Sequence, residues 1–172
     1  MARSEPTGVE RTFDPSDLIV SKTDLHGRIT YVNRTFCEVS GYSEAEALGQ
    51  PHSLIRHPDM PRAAFALMWE TIRNGREFFG YVKNLCKNGD HYWVLAHVTP
   101  SFDASGEIIG YHSTRRVPDS HAVSLIEATY ADMLEREARA DSKASAVDAS
   151  LGLLYATLAQ KGVEYDEFVL TI

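Results

Sequence analysis

Cysteine is scarce in this chain. Cys37 and Cys86 are the only two among 172 residues, too few for a disulfide scaffold, and neither sits in metal-ligand spacing. No apolar run is long enough to span a bilayer, and Met1 to Glu10 lack the apolar core of a secretory signal. Positive charge is also short. Seventeen Lys and Arg against 24 Asp and Glu leave a formal net charge of -7, which argues against a nucleic-acid partner. The common enzyme signatures are missing: Gly-x-Ser-x-Gly, Gly-x-x-x-x-Gly-Lys, His-Glu-x-x-His and Gly-x-Gly-x-x-Gly do not occur. The seven histidines are scattered, and His52 and His57 stand five apart in a connector flanked by Pro51 and Pro58, poor geometry for one metal ion. There is no internal repeat and no low-complexity tract. These absences lead us to expect a cytoplasmic protein that is no enzyme and does not insert directly into a membrane.

What is present is enough for a packed core, because hydrophobic residues make up 44% of the chain. Residues 1–16 read as a flexible lead. Asp17–Thr23 and Arg28–Val32 read as two strands around a turn in which Gly27 supplies a positive φ. Asn33 is placed to cap a short helix bearing Phe36 and Val39, and Ser43-x-x-Glu46 has capping-box spacing. Phe65, Met68, Trp69 and Ile72 recur at helical spacing between Pro61 and Asn74, and Gly75 ends that run. Three strands follow, Phe78–Cys86, His91–Ser101 and Ile108–Arg115. Strand runs with helices inserted between them predict an α+β class and exclude a parallel α/β sheet.

Beyond Val117-Pro118 the periodicity becomes helical. Val123, Ile126, Tyr130 and Met133 form one apolar stripe, and Val147, Leu151, Leu154 and Leu158 form another. Two roles fit these helices, dimer or partner contact, or extra core folded back on the sheet. The apolar tail from Tyr165 to Ile172 is expected to dock. The division predicted is a lead at 1–16, a sensor domain at 17–117, and helices at 118–172 for dimerisation or partner docking.

The connector from Gln50 to Pro61 crowds His, Arg, Asp and proline into one loop ahead of an amphipathic helix, a composition suited to a pocket wall. Several side chains there have two readings. Arg56 can fork onto a phosphate or carboxylate, or hold a surface ion pair. His57 can hydrogen-bond a ring carbonyl or ligate haem iron, or be satisfied within its loop. Asp59 can hold a ribose or adenine, or cap the helix that begins at Pro61. Trp69 can stack on a planar ring or simply fill core. Asn33 and Asn84 offer amide donors and acceptors to the edge of a heterocycle, and Asn84 can equally serve solvation at a sheet edge.

At these residues the chain resembles the PAS family, and within it the flavin-binding PAS domain of bacterial aerotaxis receptors. The matching segments include Thr23-Asp24-Leu25, Asn33 to Phe36, Val39-Ser40-Gly41-Tyr42 and Gly49-Gln50-Pro51-His52. Arg56 to Pro61, Ala63 to Ala66, Met68-Trp69, Val82-Lys83-Asn84 and Lys87 to Trp93 are more specific still. The resemblance implies a PAS fold, with a five-stranded antiparallel sheet in the order 2-1-5-4-3 and the connecting helices on one face. It implies non-covalent FAD held by Asn33, Arg56, His57, Asp59, Trp69 and Asn84, with Phe65 as an apolar wall. Where family members often carry Trp, this chain has Phe78. Neither the membrane anchor nor the long coiled coil of those receptors is expected. The chain is similar instead to PAS-only proteins of bipartite energy-taxis systems.

The function expected is therefore a cytoplasmic redox or oxygen sensor that binds FAD and reports to a chemotaxis receptor or other signalling protein, with a homodimer expected. Two other readings remain, a haem-binding gas sensor using His57 or His52, and a cofactor-free PAS dimerisation module. Cysteinyl-flavin photochemistry ranks below them, since residues 33–36 lack the Asn-Cys-Arg-Phe pattern.

Overall fold

Several turns and caps of this chain are built from local chemistry visible along it. The structure is a computed structural model that describes residues 4–172, so Met1 to Arg3 of the expected lead lie outside the described residues. Strand β1 (Ile19–Thr23) and strand β2 (Ile29–Val32) are joined by a turn with Gly27 at φ 76°. Asn33 caps helix α1 (Arg34–Ser40), accepting from the Phe36 amide at 3.0 Å. Ser43 and Glu46 form the reciprocal capping box of α2 (Glu44–Ala47). A 3-10 turn spans His52–Ile55, and α3 follows at Arg62–Arg73. Strands β3 (Phe78–Leu85), β4 (His91–Phe102) and β5 (Ile108–Arg116) complete the sheet. Helices α4 (Ser120–Ala138), α5 (Lys143–Lys161) and α6 (Tyr165–Thr171) end the chain.

The sheet is antiparallel throughout, in the order β2-β1-β5-β4-β3. This is the α+β, PAS-type arrangement expected. Alternation along the strands sorts side chains to two faces. Register sets Asn84 opposite Tyr92, Ala96 opposite Arg115, and Ser21 opposite Ser113. These residues share the face toward α1 and α3, where Ile19, Phe36, Tyr92 and Val94 form a buried cluster. Lys83 and Trp93 point from the other face.

Part of the lead expected to be flexible is hydrogen-bonded to the sheet. Thr7 N donates to Gly89 O at 2.9 Å, Arg11 N to His91 O at 2.7 Å, and His91 N to Val9 O at 2.9 Å. Such pairing extends the start of β4 by a short parallel bridge at Glu10.

The C-terminal helices gather at the β3 end of the sheet. Ile126, Tyr130, Met133, Leu154 and Leu158 are buried in one cluster with Leu67 of α3 and Tyr81 of β3. Except for Val147, the two predicted stripes thus pack within the chain, as extra core. Tyr130 Oη donates to Tyr81 O at 2.7 Å, and Tyr81 Oη to Val169 O at 3.2 Å. The tail docks as α6, with Phe168 and Val169 buried and Tyr165 stacked on Phe78 at 5.7 Å between ring centroids. An otherwise open edge strand is thereby covered. Helix α3 has no side-chain cap of its own, because Pro61 occupies the cap position. Instead Glu137 of α4 accepts from Arg62 N at 2.9 Å and Ala63 N at 3.1 Å. Asp59, the cap expected by one reading, is engaged elsewhere.

Gly110 marks where β5 passes closest to β1: a Cβ there would lie 2.4 Å from Thr23 O. Gly110→Ala therefore forces two strands apart rather than filling space. Urea unfolding should show a loss of roughly 1–3 kcal/mol, the usual cost of overpacking.

Candidate ligand-binding site

Between the inner face of the sheet and the segment from His52 to Ile72 lies a cavity of about 270 Å³. Its apolar wall is built by α3. The helical spacing of Phe65, Trp69 and Ile72 carries these side chains to the cavity, and Val82, Ala96 and Val98 face them from β3 and β4. Trp69 packs edge-on against Tyr111 of β5 at 5.4 Å, and Arg73 lies over its ring at 4.8 Å. A Cβ on Gly27 would stand 3.1 Å from the Trp69 ring. The positive φ of that turn and the approach of the indole both require glycine.

Of the seven residues expected at the site, four line the cavity: Arg56, Phe65, Trp69 and Asn84. Arg56 lays its guanidinium over the Phe65 ring at 4.2 Å and donates to Met60 O at 3.2 Å. Its main chain also pairs with Asn84 in an isolated antiparallel bridge. Asn84 is buried, and its amide Nδ2 has no hydrogen-bond partner within the protein. The other three lie outside the cavity wall. Asn33 uses its amide oxygen to cap α1 and to accept from Val20 N, and its Nδ2 donates to Leu18 O. His57 is buried, and its Nδ1 accepts from Asp59 N at 3.1 Å. Asp59 pairs with the Lys83 ammonium at 2.9 Å.

Lys83 ties this region together. Its side chain is only 8% exposed, and it reaches both Asp59 and Glu127 of α4, the latter at 3.2 Å. Burial pulls the Lys83 pKa down, but the hydrogen bonds it donates to the two carboxylates outweigh it and the net shift is upward. Burial likewise pushes Asp59 up, and the Lys83 contact reverses this to leave its carboxyl below the ordinary value.

Two polar residues at the closed end of the cavity, Arg115 and Ser21, were not singled out as ligand contacts from sequence, whereas His52 beside them was, as a haem ligand in the alternative reading. Arg115 on β5 is 2% exposed and lines the cavity. It donates through Nη2 to Ser21 Oγ, while its Nε and Nη1 have no partner. Ser21 Oγ in turn meets His52 Nε2 at 2.9 Å. Burial lowers the Arg115 pKa to about 10. Burial, reinforced by the Arg115 charge, lowers that of His52 to about 3. The signal for Arg115 lay in β5 itself: a step of two from buried Tyr111 through Ser113 puts a guanidinium on the inward face.

Neither cysteine lines the cavity. Cys86 is buried and its thiol donates to Val39 O at 3.3 Å. Among the described residues, no group of three or more His, Cys, Asp or Glu could hold a metal ion, and no helix is long and apolar enough to cross a membrane.

The partnerless donors of Asn84 and Arg115 fit a ligand with acceptor atoms on its edge, and the Trp69 wall fits a planar ring. A flavin has both features.

Comparison with known proteins agrees with this fold. A family profile described as "PAS fold" matches residues 29–115. The chain is 48% identical over 112 residues to the aerotaxis receptor of Escherichia coli, covering 65% of this chain and 22% of the receptor. It is 31% identical over 103 residues to a nitrogen fixation regulatory protein of Klebsiella pneumoniae, covering 60% of this chain and 21% of that protein. The chain thus spans about a fifth of the length of these relatives. Among solved structures, the light state of the blue-light photoreceptor Aureochrome1 LOV superposes with a TM-score of 0.58 at 23% identity, over 62% of this chain and 86% of that one. That likeness is one of fold.

His52 makes a pH prediction. Its folded pKa lies below the ordinary 6.5, so the unfolded chain binds the proton more readily. Its contribution to stability is complete above about pH 6.5 and declines as the pH falls toward 3. Thermal melts from pH 7 to pH 5, above the carboxylate range, should show falling stability. His52→Gln should flatten that slope in part, because burial also lowers His91 and His112. An unchanged slope would show that the His52 ring is not held neutral.

Proposed function

The chain belongs to the PAS family, and from that premise we propose that it is a sensor domain that holds FAD in the α3–sheet cavity and responds to its redox state. The observation that carries this reading is the buried Asn84 amide: its donor faces a Trp69-walled cavity with no partner in the protein. A flavin edge supplies acceptors for such a donor, whereas a haem calls first for an iron ligand. The candidate histidines are engaged elsewhere, His52 Nε2 with Ser21 and His57 Nδ1 with the Asp59 amide. At about 270 Å³ the cavity suits a ring system, with the remainder of a dinucleotide at its mouth.

When bound, the flavin would supply the electron chemistry, and the protein's part is to bind, orient and read it. Arg56, Phe65, Trp69 and Asn84 are the contacts this reading gives to the ligand. Asn33, His57 and Asp59 would act through the wall they brace. A change of ligand charge produces a signal only if it favours one protein conformation over another. One route outward runs from the connector through Asp59 and Lys83 to Glu127 on α4. In this reading residues 118–172 carry the signal to a chemotaxis receptor or other cytoplasmic signalling protein, or to a second copy of the chain. They would use surface left over after the apolar stripes are packed, and no catalytic step is assigned.

Purified protein, reconstituted if necessary with FAD, should be yellow and release FAD on boiling, as read by chromatography. Haem in its place, or no uptake of either, would sink the proposal. Trp69→Ala should lose most of its flavin at concentrations where the parent stays loaded. Its cost in stability should fall below the roughly 3–5 kcal/mol of a fully buried Trp truncation, since Trp69 is only half-buried and faces the cavity. Full flavin occupancy in that variant would remove Trp69 from the site.

A further inference from the structure

Arg115 presents a cation with no anion. It is almost wholly buried, two of its nitrogens lack any partner, and its one side-chain partner, the Ser21 hydroxyl, is neutral. Among the described residues lining the cavity, no Asp or Glu occurs. The other groups around the guanidinium do not supply negative charge either. The Phe36 ring lies 5.6 Å away, burial keeps the Tyr92 hydroxyl protonated by pushing its pKa up, and His52 is held neutral. A buried, uncompensated charge is costly, and folded proteins retain one where something else completes it. Asn84 adds a second partnerless donor to the same cavity. The polar lining is thus rich in donors and positive in sign, and every unmet demand in it is for an acceptor.

We infer that Arg115 is the counter-cation of the bound ligand, and that the closed end of the cavity is a subsite for a ligand edge carrying negative charge. The inference rests on the flavin reading and deepens it. In an isoalloxazine the edge that accepts hydrogen bonds and gathers negative charge is the pyrimidine side, at N1 and the C2 carbonyl. The dimethylbenzene side has no acceptor for these donors. Arg115 therefore sets which end of the ring enters first, and it favours ligand forms that carry charge there over forms that do not. A ligand would take the free Nε and Nη1 while Nη2 stays on Ser21, and because Ser21 also holds His52, a charge appearing on the ligand is felt along the Arg115–Ser21–His52 chain that links β5, β1 and the connector.

The test uses the full chain, stripped of ligand and reloaded with an FAD analogue bearing a hydroxyl in place of the 8-methyl group. That hydroxyl releases a proton to solvent, and the resulting anion shares its charge with N1 and the C2 carbonyl, a change followed by absorbance. Bound beside Arg115, the analogue should ionise about one pH unit or more below the free analogue, the shift expected from an opposite charge at close range. Arg115→Gln should abolish most of that shift. Arg115→Met, which keeps bulk without charge, serves if the Gln variant does not fold. Arg116→Gln, removing the exposed neighbouring arginine of β5 that does not line the cavity, should leave the shift in place. If both Arg115 variants fold but lose the analogue while the parent shows the shift, the contact is supported. The inference is overturned if the bound analogue ionises at or above the pH of the free one. It is equally overturned if the shift survives removal of Arg115 or vanishes with Arg116. A parent that takes up neither FAD nor the analogue overturns the flavin reading and this inference with it, whereas uptake without a shift overturns this inference alone.

Discussion

The Lys83 ammonium, withdrawn from solvent on β3, obliges two distant parts of the chain to come to it. A buried lysine remains charged only if carboxylates reach it, and Asp59 and Glu127 do so at 2.9 and 3.2 Å. Asp59 fixes the connector that leads into α3, and so sets where Phe65 and Trp69 meet the sheet. Glu127 fixes α4, and so places Tyr130 over β3 and brings Glu137 to the start of α3. Cavity wall and C-terminal helices are thus anchored to one point, each on its own carboxylate.

The elements that could be read from the chain are those whose causes lie within a few residues. The Asn33 cap, the Ser43–Glu46 capping box and the Gly27 turn are all formed as their local chemistry dictates. The apolar spacing of α3 also survives intact, because it reports a face and a face needs only periodicity. Roles in the site were less legible. Asn33, His57 and Asp59 have side chains suited to a ligand and equally suited to their own surroundings, and residue type does not distinguish the two. Arg115 became a candidate only once strand pairing put it opposite Ala96 and Ile19. The cap on α3 was beyond local reading, since Glu137 and Arg62 are 75 residues apart.

The helical stripes after Pro118 illustrate the same limit. Their spacing was correct except at Val147, and their partners were undetermined by it. An apolar stripe is satisfied by any apolar surface of matching shape, whether a second copy or the chain's own α3 and β3. Here the latter serve, so the exposed remainder of these helices is what is left for a partner.

The borrowed cap has a thermodynamic corollary. Two amides at the start of α3 find their acceptor only while the last turn of α4 stays in place, so the two helices cannot fray independently. Whatever grips Phe65 and Trp69 strengthens α3 and, through Glu137, holds α4 down. By reciprocity, whatever draws α4 away must loosen that grip by the same free energy. A partner bound to the C-terminal helices and a molecule held in the cavity would then each report on the other's occupancy, with no moving part between them larger than one carboxylate.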